Sequence, residues 1–414
     1  MENKFNRRKF LTRSASILGC SAAAFPLVSC ITTASAPWDN RLVIIVLRGG
    51  MDGLDVVRPI GDKNYKNLRP GILAGSKLTK YDLDGFYALN PAFSALIPMW
   101  KAGELAFAQA VSTPYRNKRS HFDGQDILEA GTGLDVPDGR IQDGWLNRVL
   151  QTVPGVHAKT AFAVGRDQLQ ILSGDAPVLN WAPSTRLDIS PASRSLLELI
   201  YHDDPLFQMA STEAMNLAQT LDANAMIDEN GELPSQMSME MMTDKAASKA
   251  DAPSQLASFT AARLQEESRI ASFSIGGWDT HNNQSRVLKR GAGQLQSALL
   301  TLKKDLGPIW EKTTVLAMTE FGRSVRENGT GGTDHGTGGL MIMAGGALSG
   351  AKVHGKWPGL RDRDLYGGRD LMPATDVRSY AAWAMHNLYG IEKSLLESTI
   401  FPDLDMGRDP RILA

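Results

Sequence analysis

Cysteine is almost missing from this chain. Its 414 residues hold two, Cys20 and Cys30, both within the first thirty positions. The rest of the chain has no thiol, which excludes a cysteine nucleophile, a thiolate metal site and a disulfide framework. Net charge is scarce as well, with 44 Lys and Arg against 45 Asp and Glu. No basic patch with interleaved aromatics occurs, so nucleic acid is excluded as a main partner. Beyond the N-terminus no apolar run reaches the roughly 20 residues that cross a bilayer. Three catalytic fingerprints are absent too: the Gly-x-Ser-x-Gly elbow of α/β-hydrolases, the Walker loop and the dinucleotide-binding glycine pattern.

The segment Asn6-Arg7-Arg8-Lys9-Phe10-Leu11, followed by the moderately apolar stretch Ala15 to Val28, resembles a twin-arginine export signal. That route carries folded cargo. Leu27-Val28-Ser29-Cys30 resembles a lipobox, which would make Cys30 the lipidated first residue. The competing cleavage near Ala34-Ser35-Ala36 is disfavoured by Pro37. The expected organisation is a targeting segment over 1–36 and one domain over 37–414. The expected location is the periplasm, free or held by a lipid anchor, with the export machinery as a partner.

Short β-branched or apolar runs recur along the body. Arg41 to Leu47 is continuously apolar after its first residue, as in a strand buried on both faces. Leu105 to Val111, Ala161 to Val164, Ile270 to Ile275, Thr314 to Met318 and Leu340 to Ala344 are further strand candidates. Helical patterns lie between them, around Leu146 to Leu150, Arg194 to Tyr201, Ser285 to Leu306 and Asp376 to Tyr389. This alternation predicts an α/β fold, a three-layer α/β/α sandwich with a largely parallel central sheet. Residues 208–255, rich in Met, Ala, Ser and Asp, break the pattern and are expected to form a helical insertion.

Ligands of open α/β sheets bind beyond the carboxyl ends of the strands. The polar residues directly after strand-like runs are therefore the candidates. Asp52 follows the first strand among glycines, where it serves equally well as a turn former. Asp279 and His281 follow Ile270 to Ile275 in "GGWDTHNNQ"; helix capping explains Asp279 but not His281. Glu320 and Arg323 follow Thr314 to Met318, with Arg323 able to fork onto an oxyanion or to pair with Glu320. Asp334 and His335 lie in "GGTDHGTGG", whose glycines permit close backbone approach. Ser120 and His121 open the helix Phe122 to Ala130 beside the cationic Arg116, Lys118 and Arg119. Ser120 is a helix cap or a nucleophile, and His121 an acid, a base or a ligand. Oxygen and imidazole donors without thiolate suit Zn, Mn, Mg or Ca, and a pair of such ions would clamp a phosphoryl or sulfuryl group.

In this order, "LRGGMDGLD", "RSHFDGQDILEAG", "GGWDTHNNQ", "TEFGRS" and "GTDHGTGG" resemble the bacterial domain of unknown function 1501 family, which is placed with the alkaline phosphatase and sulfatase superfamily. The resemblance implies an alkaline phosphatase-like fold holding one or two divalent ions. It implies Asp52, Asp279, His281, Glu320, Asp334 and His335 as metal ligands, Ser120 as the nucleophile with His121, and Arg323 on the equatorial oxygens. This chain departs from the superfamily pattern at Glu320 and Phe321, and an alternative register makes His354 the last ligand. The implied activity is hydrolysis of phosphate or sulfate esters on a small molecule or glycan. A non-catalytic envelope protein on the same fold is the alternative, and a single-metal, glycan-binding accessory protein a third.

Overall fold

A computed structural model describes residues 38–75, 79–133, 143–153, 156, 158–165, 169–181 and 252–414. Arg7, Arg8 and Cys30, the helix expected around Arg194 to Tyr201, and the expected insertion up to residue 251 lie outside the described residues.

The central sheet is built from β1 (Arg41–Leu47), β2 (Leu105–Ser112), β3 (Ala161–Val164), β4 (Leu179–Trp181), β5 (Ile270–Ile275), β6 (Thr313–Thr319), β7 (Gly339–Ala344) and the two-residue β8 (Val353–His354) and β9 (Thr375–Asp376). The order across it is β8-β2-β7-β6-β1-β5-β3-β4, with β9 also on β2. All nine strands run the same way except β7, which is antiparallel to both β6 and β2. The six strands expected from sequence each appear within a residue or so. The short β4, β8 and β9 carry too little apolar pattern to be read in advance.

Every residue of β1 is buried. Leu42, Ile44 and Val46 point into one apolar layer, which also contains Trp145, Leu146 and Val149 of α3 (Trp145–Thr152) and Tyr380, Ala384 and Met385 of α6 (Val377–Tyr389). Val43, Ile45 and Leu47 point into the other, with Ala257 and Leu264 of α4 (Ala252–Gln265) and Leu288, Leu295 and Leu302 of α5 (Gln284–Leu306). Helices on both faces make the three-layer α/β/α sandwich. Each fully buried aliphatic side chain contributes roughly 1.5–3 kcal/mol, so strand positions are firmly held.

The register puts the candidate loops together. Leu47, Ile275 and Thr319 lie side by side at the carboxyl ends of β1, β5 and β6. On β2, Val111 pairs with Gly339, the first residue of β7. Because β7 runs backwards, the segment before it arrives at the same rim that the other strands leave. That reversal brings Asp334 and His335 to the loops carrying Asp52, Asp279 and Glu320.

Candidate metal centre

Trp278 anchors the loop after β5. It is fully buried, donates from Nε1 to the Ile275 carbonyl at 3.0 Å, and lies parallel to Phe93. The loop after β1 presses against it. A Cβ on Gly49 (φ +123°) would meet the Asp279 nitrogen at 2.5 Å, so only glycine fits. The glycine-rich loop before β7 closes the other side. A Cβ on Gly332 would lie 2.3 Å from the Thr280 carbonyl oxygen, and Thr333 N donates to that oxygen at 2.9 Å. The glycines of "GGTDHGTGG" thus let one loop lie directly on another and press Asp334 and His335 against His281.

Three imidazoles surround the Asp279 carboxylate. His281 Nε2 is 3.2 Å from Oδ1, His335 Nε2 is 3.4 Å from Oδ1, and His121 Nε2 is 3.4 Å from Oδ2. The Nε2 atoms of His281 and His335 are 3.0 Å apart. Each Nδ1 faces an oxygen: Glu320 Oε1 at 2.7 Å for His121, Asp334 Oδ1 at 3.0 Å for His281, and the Arg119 carbonyl at 2.8 Å for His335. Carboxylates and carbonyls only accept, so each Nδ1 is the donor toward its oxygen, and each Nε2 is left facing the Asp279 carboxylate, a contact that either a proton or a metal ion would complete. His121 Nε2 is buried with no hydrogen-bond partner among the described residues. Two imidazole lone pairs 3.0 Å apart repel unless a proton or a cation lies between them.

These observations test whether a metal fits. Ligand bonds of about 2.0–2.2 Å in a tetrahedral shell put ligand atoms roughly 3.3–3.5 Å apart. The Nε2-to-Asp279 separations match that spacing, and the His281–His335 separation is slightly shorter. Histidine ligands whose second nitrogen donates to a carboxylate or carbonyl are the usual arrangement around a bound metal. His121, Asp279 and His335 form a group whose ligand atoms all lie within 4.8 Å of one another, and His281 adjoins it. The donor set of His121, Asp279 and His335 therefore fits one divalent cation, and His281 stands beside these three, against Asp279 and His335.

Neighbouring charges and burial set the protonation of each group. The Glu320 hydrogen bond, outweighing burial, raises the His121 pKa. Burial alone would raise the Asp279 carboxyl, but the Arg323 guanidinium at 2.7 Å holds it below the usual range. The Glu320 carboxyl is likewise lowered: its deep burial is outweighed by hydrogen bonds from His121, Gly49 N and Thr319 Oγ1. A hydrogen bond from Asn328 lowers the Asp334 carboxyl, and burial lowers the His335 imidazole. Phe321 lies against the rings of His121 and His335, at centroid distances of 5.1 and 5.0 Å. It is an apolar wall beside the donors and supplies no ligand.

Several residues stand one layer further out than the sequence implies. Asp52 lies behind the cluster. It is buried, its Oδ2 pairs with the fully buried Arg69 at 2.7 Å, and the same oxygen accepts from Gln284 and Thr333. Those donors occupy Oδ2, and the structure places Asp52 behind the donors that gather around Asp279. Glu320 and Asp334 are the acceptors that orient His121 and His281. Arg323 is buried, and its fork is spent on Asp279 and the Thr333 carbonyl, so it presents nothing to a substrate oxyanion. Ser120 caps α2 (His121–Ala130), accepting from Asp123 N at a long 3.4 Å. The register ending on His354 fails, since that residue pairs with Ala108 in mid-strand, away from the rim.

Sequence reading missed Arg69, Gln284, Asn328 and Arg119. Gln284 and Arg119 lie inside quoted motifs but have ordinary structural readings there. The Arg119 backbone is left-handed at φ 58°, which nothing in a run of basic residues announces. No helix among the described residues is long and apolar enough to cross a membrane.

No curated protein matches the chain. Among solved structures, it is similar to the C-terminal periplasmic domain of EcEptC from Escherichia coli, in complex with Zn, at 9% identity over 75% of this chain and 76% of that one, with a TM-score of 0.35. It is similar to a mutant TAB5 alkaline phosphatase with Mg bound in its M3 site, at 12% identity over 75% and 91%, with a TM-score of 0.30. Both likenesses are loose. The family model described as Protein of unknown function (DUF1501) matches residues 106–382, more than half the chain and a span that includes all four cluster residues, and the chain belongs to that family.

Proposed function

We propose that this chain is an exported, metal-dependent hydrolase of phosphate or sulfate esters. The observation that carries the reading is the convergence of three imidazole Nε2 atoms on Asp279, each ring fixed from behind by an oxygen. A divalent cation held there would polarise an ester oxygen and lower the pKa of a bound water. The chain's own contribution is orientation. Glu320, Asp334 and the Arg119 carbonyl hold the rings, and Arg323 holds Asp279. Phe321 keeps water off one side of His121.

Arg119 and Arg369 are the cations at the mouth. The Arg119 side chain is about half exposed, 4.0 Å from Asp370. Arg369 is one-third exposed, pairs with Asp370 at 2.6 Å, donates to the His335 carbonyl and lies 4.0 Å from Asp334. In this reading they take the oxyanion role that the sequence assigned to Arg323. Ser120, one residue before His121, remains the candidate nucleophile, because its 3.4 Å capping bond is weak enough to give up. The twin-arginine segment with Arg7 and Arg8, and lipidation at Cys30, belong to the same proposal and place the enzyme in the periplasm.

The test is ester hydrolysis on generic aryl phosphates and aryl sulfates by wild type, Ser120→Ala and His281→Ala. Activity lost in His281→Ala supports the hydrolase. Activity lost in Ser120→Ala as well assigns the nucleophile, and its persistence there assigns attack to water. Equal background rates in all three leave the alternative, a non-catalytic envelope protein on this fold.

A further inference from the structure

We infer that the cavity beside the cluster, along the start of α5, binds a second oxyanion on a hydroxyl-rich ligand, so that the substrate is a multiply phosphorylated or sulfated sugar. The inference rests on the hydrolase reading for the word substrate, while the cavity is argued from its lining. Its volume is about 540 Å³, within the range of small-ligand sites. Arg286 and Arg290, one helical turn apart, line it together with Asn282, Asn283 and Gln294. No acidic residue lines it, and neither guanidinium has a partner among the described residues.

The cavity adjoins the donors in the chain. Asn282 follows His281 directly, and Gly277, on the cavity wall, is two residues before Asp279. A Cβ on Gly276 or Gly277 would meet nothing within 4 Å, so the wall there is open backbone.

The start of α5 is badly arranged for stability. Arg286, Lys289 and Arg290 lie near the positive end of the helix dipole, with no acid in the first turn. Asn283 at the N-cap is left-handed (φ 44°) and its side chain makes no capping bond. Its amide remains available to the cavity. Arg286 and Arg290 are both exposed, so an anion entering the cavity meets two solvent-accessible guanidiniums near the positive end of the helix. Three side-chain amides beside two guanidiniums suit hydroxyls around an oxyanion, and among the described residues no aromatic lines the cavity.

The test is calorimetric titration of the full chain with fructose 1,6-bisphosphate, sucrose octasulfate and plain fructose. The variants are Arg286→Gln/Arg290→Gln and His335→Ala. The expected result is that at least one charged sugar binds wild type while fructose does not. Affinity falls at least tenfold in the double arginine variant, and it falls separately in His335→Ala, which removes a ligand of the cation that would hold the first oxyanion. The double variant should melt no lower than wild type, which separates lost binding from lost folding. Binding of neither charged sugar to wild type, or equal binding to the double variant, overturns the inference. If ester hydrolysis fails while arginine-dependent binding stands, the hydrolase reading falls and the anion cavity survives.

Discussion

Asp52 and Asp279 occupy equivalent places. Each follows a buried parallel strand, each sits among glycines at the same rim, and from sequence each reads as a ligand. Their surroundings have opposite consequences. Asp52 is buried against an arginine that is itself fully buried, and Gln284 and Thr333 saturate the same carboxylate oxygen. Asp279 also pairs with a buried arginine, Arg323, but it is half exposed and three imidazole Nε2 atoms face it. An acid after a strand marks a site only when its partners leave a vacancy for charge. Arg69 closes one position, and the histidines leave the other open.

The first way to break this contrast is to remove Arg69. Arg69→Met strands the buried Asp52 charge, and one-sided breaking of a buried pair costs about 3–5 kcal/mol. Urea unfolding should show a loss of that size, while the metal content of the surviving folded protein is unchanged. A change below about 1 kcal/mol would mean that Asp52 is not held as described.

A smaller effect comes from the layer behind the histidines. Glu320→Gln keeps the shape but removes the charge that orients His121. Metal affinity should fall by about 10–100-fold, as for other outer partners of ligating histidines. Asp334→Asn should act the same way on His281 and less strongly, since Asn328 also holds that loop. Competition with a chromogenic chelator measures both, and wild-type affinity in both would detach these carboxylates from the site.

Ser120→Ala separates capping from chemistry. Loss of an N-cap costs about 0.5–2 kcal/mol, and the long 3.4 Å bond points to the low end. If Ser120 is also the nucleophile, turnover falls far more than stability does. Parallel small losses in both would leave it a cap.

The smallest effect is a pH dependence away from the site. Burial holds His354 below the ordinary imidazole pKa, and its Nε2 has no partner among the described residues. The unfolded chain therefore takes up this proton first as pH falls. The stability it contributes is complete above about pH 6.5 and is lost as pH falls from there through the lower folded-state value. His354→Phe should flatten that part of the stability profile, and an unchanged acid limb would show that His354 does not titrate as described.

Much of this arrangement was legible in the sequence. The apolar runs located the six main strands, because burial on both faces leaves an uninterrupted pattern. The glycine-flanked acids and histidines at strand ends located the rim. What stayed hidden was the layering. Nothing in "LRGGMDGLD" says that Arg69, from a distant loop, will neutralise Asp52. Nothing in "TEFGRS" says that Glu320 will face a histidine while Arg323 is spent on Asp279. Those assignments depend on which side chains meet across loops, and the direction of β7 decides that. A six-residue apolar strand reads the same in either direction, so the reversal that delivers His335 to the rim leaves no local trace.

The most direct measurement of the central claim is elemental analysis of purified wild-type protein beside Asp279→Ala and His335→Ala, with circular dichroism as the folding control. The account predicts about one divalent ion per wild-type chain and almost none in either variant, all three folded alike. A wild-type protein that is folded and metal-free after exposure to Zn, Mn, Mg and Ca, or variants that keep the ion, would contradict it.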